Sequence, residues 1–233
     1  MHNGTLNVMG RVLLIAALLL SSADARAQPA RKASAMQRVT GVVHARHAMA
    51  PLDSVLGIRV YDARGAELPG ATVRWTVAAA GEGAALRVIN ATTDALGVSR
   101  ASFTPGRSAD AQRVIAEVTD VGRIEFAVTI PAASLRIVPQ RVTLWSGDDT
   151  LVAAVLRDAR GAMLTGGAVS WIAMDTALIQ VISRDPVGAT VRGVRAGTTQ
   201  FAAWVGDGKV RDVARATVRA VIDGRFMTAD SER

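Results

Sequence analysis

Beyond residue 36, apolar and polar positions alternate with a period of two rather than 3.6. In Gly122–Ile130, Ile124, Phe126, Val128 and Ile130 alternate with Arg123, Glu125, Ala127 and Thr129. In Gln112–Thr119, Val114, Ala116 and Val118 alternate with Arg113, Ile115 and Glu117, and Val73, Trp75 and Val77 flank Arg74 and Thr76. Successive side chains on a strand point to opposite faces, so each segment buries one face and wets the other. That pattern belongs to antiparallel sheets rather than to strands separated by crossover helices. No stretch after residue 36 carries a convincing helical period. The predicted fold class is all-β.

An internal repeat then sets the domain organisation. Asp62-Ala63-Arg64-Gly65-Ala66-Glu67-Leu68-Pro69-Gly70-Ala71-Thr72-Val73-Arg74-Trp75 aligns with Asp158 to Trp171 at a constant offset of 96, and 9 of 14 positions are identical. A period of that length is one sandwich domain and far exceeds a solenoid repeat. The preceding strands agree in character: Leu56, Ile58 and Val60 fall against Val152, Ala154 and Leu156. Each unit reads strand, D-A-R-G turn, loop, and then a strand centred on a tryptophan. Asp62 and Asp158 are expected to cap their turns, with Gly65 and Gly161 supplying positive φ. Trp75 and Trp171, each mid-strand among apolar neighbours, are expected to be core. The predicted domains are 37–131 and 134–222, joined by Pro131-Ala132-Ala133-Ser134 and followed by a polar tail over 223–233.

The N-terminus predicts export. Arg11 precedes nine unbroken apolar residues, Val12 to Leu20, and Ala25-Arg26-Ala27 fits a small-x-small cleavage site. Nine helical residues span about 14 Å, under half of a hydrocarbon core, so a cleavable signal peptide over 1–27 is expected in place of a transmembrane anchor. Residues 28–36 are small, polar and basic and read as a flexible lead-in. The destination is the periplasm, the cell surface or the medium.

With these elements placed, 51–131 resembles the group 1 immunoglobulin-like domain of the bacterial invasin and intimin adhesins. The carrying residues are Val60-Tyr61-Asp62-Ala63-Arg64-Gly65, Pro69-Gly70-Ala71-Thr72-Val73-Arg74-Trp75 and Thr93-Asp94-Ala95-Leu96-Gly97-Val98. The second unit resembles the group 2 domain through Val138-Pro139, Val142-Thr143-Leu144, Gly147, Val169-Ser170-Trp171 and Val194-Arg195-Ala196-Gly197-Thr198-Thr199. The resemblance implies two tandem immunoglobulin-like β-sandwiches and an adhesion, spacer or interaction role at the envelope. The adhesins' outer-membrane barrel and C-terminal lectin-like module have no counterpart in this sequence.

Composition narrows the chemistry. There is no Cys in 233 residues, which excludes disulfides, thiolate metal sites and cysteine nucleophiles, and predicts no lipoprotein anchor. Apolar packing alone must therefore join the two sheets of each sandwich. His44 and His47 are expected on opposite faces of a first strand, a poor metal pair, and no G-x-S-x-G elbow presents a serine. Asp148, Asp149 and Asp207 are expected as solvated turn residues without calcium-loop spacing. No cofactor and no enzymatic activity are predicted.

Charge suggests partners instead. Lys and Arg total 27 against 20 Asp and Glu, and only Lys32 and Lys209 are lysines. Nucleic acid is not the expected partner, because aromatics are only 4% and the arginines are not interleaved with stacking residues. The expected partner is an envelope or surface protein or polysaccharide. The alternative is a carbohydrate- or polyanion-binding module, with Arg59, Arg74, Arg113 and Arg123 as distributed contacts. Tyr61, Trp145, Phe201 and Trp204 are expected as core rather than as a sugar-stacking surface.

Overall fold

The computed structural model describes residues 31–41, 43–185, 188–222 and 225–226. The expected signal peptide (1–27), the start of the lead-in and nearly all of the polar tail lie outside the described residues. Strand β1, Ala33–Arg38, pairs antiparallel with β2, Leu56–Asp62, placing Met36 opposite Val60. Residues 33–36 are thus sheet and not lead-in. Their small side chains carry little alternation, yet their backbone completes the edge that β2 presents, and Ala33 and Met36 pack on the core.

The rest of the first sandwich follows in order: β3, Arg74–Ala79; β4, Ala85–Asn90; β5, Val98–Thr104; β6, Gln112–Val118; and β7, Gly122–Val128. They form a four-stranded sheet, β1-β2-β5-β4, and a three-stranded sheet, β3-β6-β7. This is the seven-strand division of an immunoglobulin constant-type domain. Ile58, Val60, Phe103, Val114 and Phe126 are sealed between the sheets. Trp75 stacks on Phe126, two strands away in the same sheet, with ring centroids 5.8 Å apart, and both rings are buried.

The second sandwich repeats the plan with its first strand split. β8, Ser134–Val138, ends before Pro139, which has no N–H to extend a ladder. The chain then crosses to the other sheet as β9, Arg141–Trp145. The remaining strands are β10, Asp149–Arg157; β11, Met163–Leu164; β12, Val169–Ala173; β13, Ile179–Arg184; β14, Gly188–Gly193; β15, Gly197–Val205; and β16, Val210–Arg219. One sheet runs β11-β10-β14-β13 with β8 also on β10; the other runs β12-β15-β16-β9, with β9 parallel to β16. Trp171 stacks on Phe201 at 6.5 Å. A last two-residue ladder pairs Val221–Ile222 with Arg225–Phe226.

The repeat aligned in sequence superposes in role. Leu56, Ile58 and Val60 are buried, as are Val152, Ala154 and Leu156. The tryptophans differ in one respect. Trp75 Nε1 donates to Ser99 Oγ at 2.9 Å, and that hydroxyl donates on to the Asn90 carbonyl at 2.7 Å. Trp171 Nε1 is buried with no partner. In the first sandwich Ser99 lies opposite Ile58 in the β2–β5 ladder, where its hydroxyl meets the indole.

Candidate functional site

The two D-A-R-G segments fold alike. Asp62 Oδ1 accepts the N–H groups of Arg64 and Ala66, each at 2.9 Å, and Gly65 sits at φ 76°. Asp158 Oδ1 accepts those of Arg160 and Ala162, also at 2.9 Å, with Gly161 at φ 82°. A third copy was missed by the alignment: Asp94 Oδ1 accepts from Leu96 and Val98, and Gly97 has φ 67°. The shared D-A-x-G spelling is the signal that would have found it.

Asp158 does more than close its own turn. Its Oδ2 accepts the N–H of Ala48, in the first sandwich, at 2.9 Å. Burial by itself would raise the Asp158 pKa, but the N–H donors of Ala48, Ala162 and Arg160 and the nearby His47 outweigh it and hold the carboxyl below its ordinary value. His44 and His47 lie in an irregular segment and not on a strand. The expected opposite-face pair is thus corrected: His44 is exposed, and His47 is half-buried beside Asp158 with Nδ1 unpartnered.

A second contact joins the same two domains. The β5–β6 loop runs alongside the loop after β11. Ala109 N–H donates to the Thr165 carbonyl at 2.8 Å, while Thr165 returns its N–H and its hydroxyl to the Arg107 carbonyl at 2.8 and 2.7 Å. Asp110 Oδ1 accepts the N–H of Gly167 at 2.9 Å. Gly166 has φ 66°, and a Cβ there would meet Asp110 Oδ2 at 2.0 Å, so this close approach requires glycine. Beside the clasp lies an open cleft of ≈ 350 Å³, walled by Ile130, Ala132, Leu156, Val205 and Val210. Its one carboxylate, Asp207, is ion-paired with Lys209 at 2.8 Å.

The four arginines expected as polyanion contacts are divided between two sheets. Arg59 is on β2 and pairs with Glu67 at 3.0 Å. Arg74, Arg113 and Arg123 share the outer face of β3-β6-β7, where Arg113 pairs with Glu125 at 3.2 Å and Glu117 lies in register between Arg74 and Arg123. Three cations and two carboxylates on that face largely cancel. Sequence reading missed a different set, Arg141, Arg211, Arg215 and Arg219, which the second sandwich exposes on the outer face of β12-β15-β16-β9.

The remaining candidates separate. Phe201 is core as expected, but Tyr61, Trp145 and Trp204 are only half-buried. All three sit on the outward-facing positions of β2, β9 and β15, alternating with the buried ones, so the facing sheet does not cover them. They form no row, because Trp145 is in register with Arg219 and Trp204 with Arg211, eight residues apart along β16. Asp149 holds a bidentate pair with Arg192 at 2.7 and 2.8 Å. Asp148 Oδ2 accepts the Trp145 N–H at 3.4 Å. No group of three His, Asp or Glu side chains is arranged for a metal among the described residues.

No family model matches this sequence, and no curated protein does. Among solved structures, the Yersinia pseudotuberculosis adhesin InvE is similar to it, with a TM-score of 0.55 at 11% identity over 78% of this chain and 58% of that one. The Escherichia coli adhesin FdeC overlaps 82% of this chain and 65% of its own at a TM-score of 0.38 and 16% identity. For Y. pseudotuberculosis InvD the values are 80%, 60%, 0.37 and 15%. The chain spans less than two thirds of each. The last two superpose too loosely to add to the first. The InvE likeness shows the fold, that of tandem immunoglobulin-like domains in bacterial adhesins.

Proposed function

We propose that this chain is an exported, non-enzymatic interaction module whose two sandwiches act as one stiff rod at the cell surface. The clasp carries this reading: a loop-to-loop ladder and a buried carboxylate both tie domains that a four-residue linker alone would leave free to swing. Such stiffness suits a spacer that must hold a binding surface at a fixed distance. The adhesin fold supports the surface role, and the absence of any catalytic element in the sequence supports a function by binding.

Small-angle scattering of the purified protein tests the rod. The expected curve fits one rigid two-domain shape, and Asp158→Asn combined with Thr165→Ala gives a larger radius of gyration and a flexible profile. A wild-type profile already flexible overturns the reading. Surface proteolysis of intact cells tests the location independently, with the protein expected to be cleaved from outside.

A further inference from the structure

The outer face of β12-β15-β16-β9 is the most unbalanced surface among the described residues. Arg211, Arg215 and Arg219 all project outward from β16, every fourth residue, with steps of about 13 Å. Arg141 on β9 lies directly beside Arg215 in the parallel ladder, so two guanidinium groups leave neighbouring strands side by side. Like charges directly opposite on a sheet are destabilising unless something neutralises them. Among the described residues no carboxylate does, although the Arg219 guanidinium lies over the Trp145 ring at 5.7 Å. No ion pair among the described residues engages any of the four, and no outward residue of these strands is acidic. Asp212, the one carboxylate within them, faces away and accepts the N–H of Ile137 at 2.8 Å. The corresponding face of the first sandwich carries two glutamates among its arginines, so the imbalance is not a property of the fold.

The groups between the arginines are hydrogen-bonding and uncharged. Thr198, Thr217 and Thr143 occupy one register row across three strands, with the first two hydroxyls 3.5 Å apart. The adjacent row reads Gln200, Arg215, Arg141. We propose that this face binds an anionic polysaccharide, with sugar carboxylates on the Arg141–Arg215 pair and sugar hydroxyls on the threonine row. Guanidinium forks hold carboxylates in a bidentate manner, and a flat row of hydroxyl and amide groups matches a chain rich in hydroxyls. A nucleic acid fits less well. Its phosphates recur about every 3.4 Å along each strand, far denser than these arginines, and the two half-buried tryptophans stand about 26 Å apart, too far to form a stacking platform.

This site goes beyond the rod reading and does not depend on it, since binding is measured on the purified protein whatever its stiffness. Titration with polygalacturonate, with dextran as the neutral polymer and polyphosphate as the non-sugar polyanion, tests it. The expected result is binding of polygalacturonate at physiological salt and none of dextran. Arg141→Ala with Arg215→Ala lowers that affinity at least tenfold, whereas Arg74→Ala with Arg123→Ala on the other sandwich changes it less than twofold. Thr198→Val with Thr217→Val weakens polygalacturonate several-fold and leaves polyphosphate unchanged. Arg215→Glu keeps the fold, because the new carboxylate pairs with Arg141, so its melting temperature stays at or above wild type while binding is lost. Equal losses from both arginine pairs, polyphosphate bound as tightly as polygalacturonate, binding retained in Arg215→Glu, or no binding by the wild type would each overturn the proposal.

Discussion

Asp158 and Ala48, 110 positions apart in the chain, meet in a 2.9 Å hydrogen bond from the Ala48 N–H to Oδ2, while Oδ1 of the same carboxylate closes the turn that Asp158 begins. One side chain therefore shapes a local turn and fastens one domain to the other. Asp158→Asn puts an amide N–H against the Ala48 N–H or against the turn's donors, so one contact must break. The expected cost is about 1–3 kcal/mol, the usual range for a buried group left unpaired. Denaturant unfolding measures it, and an unchanged midpoint would show that the clasp contributes nothing to stability.

The same carboxylate gives the clasp a pH dependence. Its folded pKa lies below the unfolded value of about 3.9. A group depressed in this way contributes stability fully above the unfolded pKa and loses it as pH falls through the folded one. The two-domain contact is thus expected to hold across the neutral range and to loosen below about pH 4. Asp94, Asp149 and Asp207 shift the same way, through Arg100, Arg192 and Lys209, but at exposed positions. High salt screens those three, so the residual acid transition of the scattering profile should belong to Asp158 and disappear in Asp158→Asn.

The two tryptophans should respond differently to the same substitution. Ser99→Ala leaves the Trp75 indole N–H buried without an acceptor and should cost about 1–3 kcal/mol. Trp171 has no such bond to lose, so Trp171→Phe should cost less than Trp75→Phe. Truncation to alanine at either site should cost about 3–5 kcal/mol, because each ring fills the space between two sheets. Equal effects of the two Trp→Phe changes would show that the Ser99 bond is energetically silent.

Gln112 should control the clasp from within the first sandwich. Its buried amide accepts the Gly106 N–H at 2.7 Å and that of Gly81 at 3.3 Å, and donates to the Gly106 and Ser108 carbonyls at 3.1 and 3.3 Å. These bonds fix the loop whose Arg107 and Ala109 engage Thr165. Gln112→Leu should both destabilise the first domain and increase hydrogen exchange at Thr165 and Gly167, in the other domain. Exchange rising only around 81 and 106 would confine Gln112 to a local role.

Much of the local structure was readable before any coordinate. Alternation from Gln112 to Ile130 marks β6 and β7 because one face is core and the other solvent, and the repeated Asp and Gly dictate the turns at 62 and 158 through short-range hydrogen bonds. Strand β1 was not readable, since Ala33 to Met36 has almost no contrast between faces and is ordered by the open edge of β2. The histidine segment was misplaced for a related reason: Val43, Ala45 and Ala48 are buried, but by packing of a loop and not by a ladder.

The sequence by itself determined the strand pattern, the doubling at 96 residues, the capped turns and the burial of Trp75, Trp171 and Phe201, because each depends on neighbours within a strand or a turn. Only the tertiary structure decided which charges meet. It divided Arg59 from Arg74, neutralised Arg113 with Glu125, and brought Arg141 beside Arg215 from 74 residues away. It also gave Asp158 a partner its twin's sequence could not announce. Charge and hydrogen-bond pairing act through space over a few ångströms, and register and domain packing, not spacing along the chain, set those distances.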